Sequence, residues 1–235
     1  MSTLHDARLQ CHWAAQLASA PGVTLLDPLP SDHHTTLRWS SESQSLMGPS
    51  VRGLEMSLHL ATLELHAGAE RLALDGVTYG DAMKWVSGIF GEPVKRGDYE
   101  MPAHAVGEGG VFRLTEEMTT LATYYERGHH ALSAVGGPVI CWPHHFDIAV
   151  FHDLGDGKSI GTGMSPGDGS YPDPYWYATP WPYPTDTSAL PALTDGRWHT
   201  DGWVGAVLPG DEEPARFFPN ALACGKSVLG VPAGD

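Results

Sequence analysis

Phe146-Asp147-Ile148-Ala149-Val150-Phe151-His152-Asp153-Leu154-Gly155-Asp156-Gly157-Lys158-Ser159-Ile160-Gly161-Thr162-Gly163-Met164 reads as two strands joined by a tight turn. Phe146, Ile148 and Val150 recur at the two-residue period of a strand with one apolar face. Leu154-Gly155-Asp156-Gly157-Lys158 is a hairpin signal, because glycine takes the positive φ that such turns require. Strands are expected over Phe146 to His152 and Ser159 to Met164. Val139 to Trp142, Tyr175 to Thr179 and Trp203 to Leu208 extend the β pattern on both sides. A helix over about Pro214 to Leu229, with Pro219 near its start, closes the chain.

The first half mixes periods. Leu4, Ala7, Cys11, Ala14, Leu17 and Ala18 recur at helical spacing over residues 3–19, with Thr3 as cap and Pro21-Gly22 as the expected stop. Thr35 to Trp39 is strand-like, and Leu54, Met56, Leu58 and Leu60 alternate with polar residues. Thr62 to His66 and Arg71 to Leu74 continue a meander through Ala67-Gly68-Ala69-Glu70. Thr78 followed by Asp81 resembles a capping box opening a helix to about Phe90. Residues 91–111 are irregular, and a longer helix is expected from about Thr115 to Gly136-Gly137. The fold class is therefore α+β: antiparallel sheet packed with three to four helices, as one domain over residues 1–235.

Composition narrows the function. The balance of 28 acidic against 13 basic residues opposes a phosphate backbone, so nucleic-acid binding is not expected. Cys11, Cys141 and Cys224 are far apart, without a CxxC pair, which argues against a disulfide framework or thiolate zinc site and suits a reducing cytoplasm. His5, Asp6, Arg8 and Gln10 interrupt the N-terminal apolar residues, unlike a signal peptide, and no apolar run reaches membrane-spanning length. The expectation is a soluble cytoplasmic protein without a membrane partner.

Two stretches concentrate the chemistry. In Trp142-Pro143-His144-His145-Phe146-Asp147, strand alternation puts His145 and Asp147 on one side and His144 and Phe146 on the other. An imidazole with a carboxylate is common ligation for zinc and non-haem iron. His144, His129 or Asp168 would complete the set of ligands. Without metal, Asp147 would orient His145 as a general base. The same pair could equally be a hydrogen-bonded sheet histidine.

The second stretch is the loop from Ser165 to Pro184, where six prolines fix the backbone and six Tyr or Trp rings supply apolar area with polar tips. Asp168, between two glycines, is accessible, and Tyr175, Trp176, Tyr177 and Trp181 would shape an apolar pocket. Glu126 and His129 have the Glu-x-x-His spacing of di-iron bundles, but no second such motif exists, so a solvated helix end is the better reading. Gly107-Glu108-Gly109-Gly110 lacks the Lys-Ser/Thr of a phosphate loop, and Cys141 reads as a packed small hydrophobe.

Trp142-Pro143-His144-His145-Phe146-Asp147-Ile148-Ala149 and Ser165-Pro166-Gly167-Asp168-Gly169-Ser170-Tyr171-Pro172-Asp173-Pro174-Tyr175-Trp176-Tyr177 resemble the motifs of a bacterial domain family of unknown function. The resemblance extends over most of the chain, including His12-Trp13, His34 to Trp39 and Trp203 to Gly230. In that family the Phe-Asp-hydrophobic-Ala core recurs while the two preceding positions vary, which implies that Asp147 is the more constant of the pair. The family carries no established activity.

Two functions compete. One is a metal-dependent enzyme, a hydrolase or non-haem oxidoreductase using zinc or iron. Its substrate would be a small apolar or aromatic molecule held between the His145/Asp147 strand and the 165–184 loop. The other is a non-catalytic ligand-binding or oligomerisation module, in which the aromatic loop forms a homodimer surface.

Overall fold

The structure, a computed structural model, describes residues 3–232. These fold as α+β, with two antiparallel sheets and four α-helices. The chain divides into two compact units: residues up to Glu126 with Ile140–Asp147, and Arg127–Val139 with Ile148 onward.

The first unit is built on helix α1 (Leu4–Leu25), which is buried from Arg8 to Gly22 almost without interruption. Thr3 caps it by accepting the Asp6 N–H at 3.2 Å. The helix does not stop at Pro21-Gly22 but continues to Leu25. Pro21 forfeits one backbone hydrogen bond, and the burial of Ala20, Pro21 and Gly22 against neighbouring backbone offsets that cost. Small residues permit this approach: a Cβ on Gly22 would lie 2.3 Å from the His34 carbonyl oxygen, and one on Gly48 would lie 2.3 Å from that of Ala18.

A five-stranded meander follows: β1 (Arg38–Ser40), β2 (Ser45–Met47), β3 (Met56–His59), β4 (Glu64–Ala67) and β5 (Glu70–Ala73), each pairing with the next. Register aligns Trp39, Leu46, Leu58, Leu65 and Leu72 in one row, and Leu46, Leu58 and Leu65 have no exposed surface. Each such leucine contributes about 1.5–3 kcal/mol by leaving water. The opposite face is polar and carries Ser45, Ser57, His59, Glu64 and His66. Strand β2 has no alternating signature and was not expected from the sequence. Helix α2 (Tyr79–Phe90) opens as its capping box requires, Thr78 Oγ1 accepting the Asp81 N–H at 3.1 Å. Helix α3 (Glu117–Ser133) buries Met118, Leu121, Tyr125 and Leu132, the face its periodicity selects. Strand β6 (Ile140–Trp142) belongs to this unit, Leu37 and Cys141 exchanging backbone hydrogen bonds at 2.8 and 2.7 Å.

The second unit holds the end of α3, strand β7 (Asp147–Gly155) from Ile148 onward, strands β8 (Lys158–Ser165), β9 (Tyr175–Trp181), β10 (Arg197–His199) and β11 (Gly205–Pro209), and helix α4 (Phe217–Val228). The strands follow the order β10-β11-β9-β8-β7. The Gly155-Asp156-Gly157 hairpin joins β7 to β8 with all three residues at positive φ. Pro219 is tolerated because it is the third residue of α4, where backbone N–H groups have no partner within the helix. Even-numbered residues of β7 to β9 face the helices. A Cβ on Gly128 would meet Ile148 Cγ2 at 2.9 Å, and one on Gly225 would meet Ile160 Cδ1 at 2.9 Å.

Candidate functional site

The two stretches singled out by the sequence fall in different units. His144, His145 and Asp147 lie in the first, whereas Asp168, the aromatic loop and His129 lie in the second.

Strand alternation does not govern His145. β6 ends at Trp142, residues 143–146 form a turn, and β7 begins only at Asp147. The Trp142 carbonyl accepts from the His145 N–H at 3.1 Å and the Phe146 N–H at 2.8 Å. Phe146 is left-handed, with φ at 57°, a conformation that costs a non-glycine residue on the order of 1–3 kcal/mol.

Buried polar contacts hold this turn. His12 and Gln16, one turn apart on α1, both donate to the Pro143 carbonyl, at 2.9 and 2.6 Å. Gln16 Oε1 also accepts the Tyr99 hydroxyl. The Phe146 ring stacks on His12 at 5.1 Å, and Tyr125 Oη donates to the Phe146 carbonyl at 2.6 Å. Burial drives the His12 pKa down to about 4, so the ring is neutral, with its proton on Nε2 facing Pro143.

His144 and His145 project from the turn with ring centroids 4.2 Å apart, and Tyr99 lies 5.3 Å from His144. His144 is half-buried and His145 exposed. Burial first, then the neighbouring His145 charge, lowers the His144 pKa. Cys141 is fully buried and its pKa lies well above the usual thiol value, through burial and then the Asp147 charge, so it is an inert thiol. Among the described residues, no group of three or more His, Cys, Asp or Glu side chains is placed to hold a metal ion. Glu126 is not a solvated helix end: its Oε2 accepts the Trp39 indole N–H at 2.6 Å.

In the second unit, Asp168 is engaged by its own loop. Oδ1 accepts the Ser170 and Tyr171 N–H groups at 2.7 and 3.0 Å, and Oδ2 accepts the Tyr175 hydroxyl at 2.6 Å. This is an Asx turn with an aromatic clamp. Tyr171 Oη lies 2.9 Å from His199 Nδ1, and His199 Nε2 lies 2.7 Å from the Asp201 carbonyl oxygen. A carbonyl can only accept, so Nε2 carries the proton and Tyr171 donates to Nδ1. Trp203 donates to Ser170 Oγ at 3.1 Å, and its ring lies 4.3 Å from that of His199.

Alternation along β9 separates the aromatic set. Trp176 faces α4, fully buried, edge-on to Phe218 at 5.9 Å and donating to the Glu212 carbonyl at 3.0 Å. Tyr175, Tyr177 and Trp181 share the other face. There Gly163 pairs with Tyr177, Gly161 with Thr179 and Phe151, and Ser159 with Trp181. Rings stand in for side chains over two glycines: a Cβ on Gly163 would lie 2.5 Å from Tyr177 Cζ, and one on Gly205 would lie 2.5 Å from Trp203 Cζ3. Trp181 and Phe151 remain 55 % and 52 % exposed.

The sequence reasoning missed Phe151, His199 and Trp203. Phe151 lies in the quoted hairpin, opposite in alternation to the apolar series, which was the available signal. His199 and Trp203 carry none without the sheet register. It also missed His59 and His66, which lie on adjacent strands with rings 3.8 Å apart, His66 Nε2 being 3.1 Å from Glu64 Oε2.

Comparison with protein-family models, with curated proteins and with solved structures finds no match to this chain.

Proposed function

We propose that the protein binds a small apolar or aromatic molecule on the aromatic face of its second sheet, with Tyr177 and Trp181 supplying ring surface. One observation carries this reading: the face presents large rings over side-chain-free positions, and Trp181 and Phe151 stay more than half exposed although both are apolar. The polar tips of Tyr171, Tyr175 and Trp203 are engaged within the unit, which leaves flat ring surface as what a ligand meets. Asp168 then serves as the clamp that orders the loop rather than as an acid or base. Titration with indole, followed by calorimetry, tests the reading. Saturable binding weakened at least tenfold in Trp181→Ala supports it. Unchanged binding in that variant contradicts it, and a dimer dissolved by the same substitution would assign the face to self-association.

A metal-dependent hydrolase or oxidoreductase is the second reading, favoured by the adjacent His144 and His145 rings, three and two residues before Asp147. A stoichiometric transition metal in purified protein, lost in His145→Ala, would establish it.

A further inference from the structure

We infer that the aromatic face also takes a small organic cation, seated over Gly161 between Phe151 and Trp181, beside neutral rings such as indole; this rests on the aromatic-face reading above. Gly161 sits mid-strand in β8, with β7 and β9 on either side. Glycine there is costly, and it commonly marks a place where something approaches the backbone closely. Gly163 and Gly205 are accounted for by the rings that occupy their side-chain space. Gly161 is not: the nearest atom to its would-be Cβ is Tyr177 Cε2, at 4.0 Å. The space above it is open.

Register defines the walls of this notch. Phe151 pairs with Gly161 from β7, and Trp181 pairs with Ser159 from β9, one row further along the same face. At ordinary strand and residue spacings, these two positions are about 10–12 Å apart across a floor without bulky side chains. Tyr177 bounds the notch at its other end, opposite Gly163. A small compact group can therefore touch rings on two sides.

Charge selects a cation. Ring faces are negative, and cations are attracted to them most strongly by tryptophan. Asp153 pairs with Ser159 in the same row as Trp181; its Oδ1 accepts the Gly155 N–H of the hairpin at 2.9 Å, and the carboxylate keeps its negative charge at the edge of the notch. Among the described residues, the Lys or Arg on the strands of this face is Arg197, three strands from Gly161 on β10, with its guanidinium 5.5 Å over Tyr171. A net charge of −15 adds long-range attraction for a cationic ligand.

Choline and its uncharged isostere 3,3-dimethylbutan-1-ol, titrated into the full chain alongside indole, provide the test. Choline is expected to bind at least tenfold more tightly than the isostere, and Asp153→Asn to narrow that gap severalfold. Gly161→Val fills the notch at a position where a Cβ meets nothing closer than Tyr177 Cε2 at 4.0 Å, so it should abolish choline binding without lowering the melting temperature. Equal affinity for choline and the isostere overturns the inference, as does choline binding that survives Gly161→Val. In either case retained indole binding keeps the aromatic-face reading, whereas loss of indole binding as well removes both.

Discussion

The Tyr177 ring occupies the space where Gly163 would carry a side chain, with a Cβ there falling 2.5 Å from the ring. The two residues pair directly across β8 and β9, so the glycine fixes the ring flat against the sheet. Gly163→Ala is accordingly expected to displace Tyr177 and to cost about 1–3 kcal/mol in urea unfolding, the usual range for overpacking. Tyr177→Ala in the same background should recover most of that loss, because the clash disappears with the ring.

His12 supplies a pH dependence. Its folded pKa, about 4, lies below the ordinary imidazole value of 6.5, so between those values the unfolded chain binds more protons at this site. The stability it contributes is complete above about pH 6.5 and is lost as pH falls toward 4, on the order of 3 kcal/mol in all. Denaturant titrations from pH 4 to 7 should show a shallower slope in His12→Gln than in the parent.

Tyr79 lies against Trp13 at 5.3 Å, and among the described residues its buried hydroxyl has no hydrogen-bond partner. Removing an unsatisfied buried hydroxyl relieves desolvation without losing a bond. Tyr79→Phe should therefore leave stability unchanged or raise it by about 1 kcal/mol, read from the urea midpoint.

Asp168 accepts three hydrogen bonds that close the 168–175 loop. Asp168→Ala should lower stability by about 1–2 kcal/mol, since the loop is solvent-exposed and water replaces part of what is lost. Faster limited proteolysis within residues 166–174 would mark the loop as the segment released.

Much of the fold was legible because local signals agreed with tertiary need. Thr78 and Asp81 announce α2, the glycine hairpin announces β7 and β8, and Met118, Leu121, Tyr125 and Leu132 mark the buried side of α3. Pro21 misled because burial of Ala20, Pro21 and Gly22 outweighs a local rule. His145 misled for a different reason. The apolar series Phe146-Ile148-Val150 looks like one strand, yet Phe146 is turned to positive φ by contacts with His12 and Tyr125, more than 100 and about 20 residues away in sequence. No short-range pattern contains that information. The aromatic loop was legible in composition only: which rings share a face, and which glycines lie beneath them, depends on register.

The most direct measurement is a fluorine NMR titration of protein carrying 5-fluorotryptophan at its eight tryptophan positions, with Trp181 assigned by substitution and indole as ligand. The Trp181 resonance is expected to shift saturably while that of buried Trp176 stays fixed. A Trp181 signal that does not move, with indole nevertheless bound elsewhere, would contradict the aromatic-face reading.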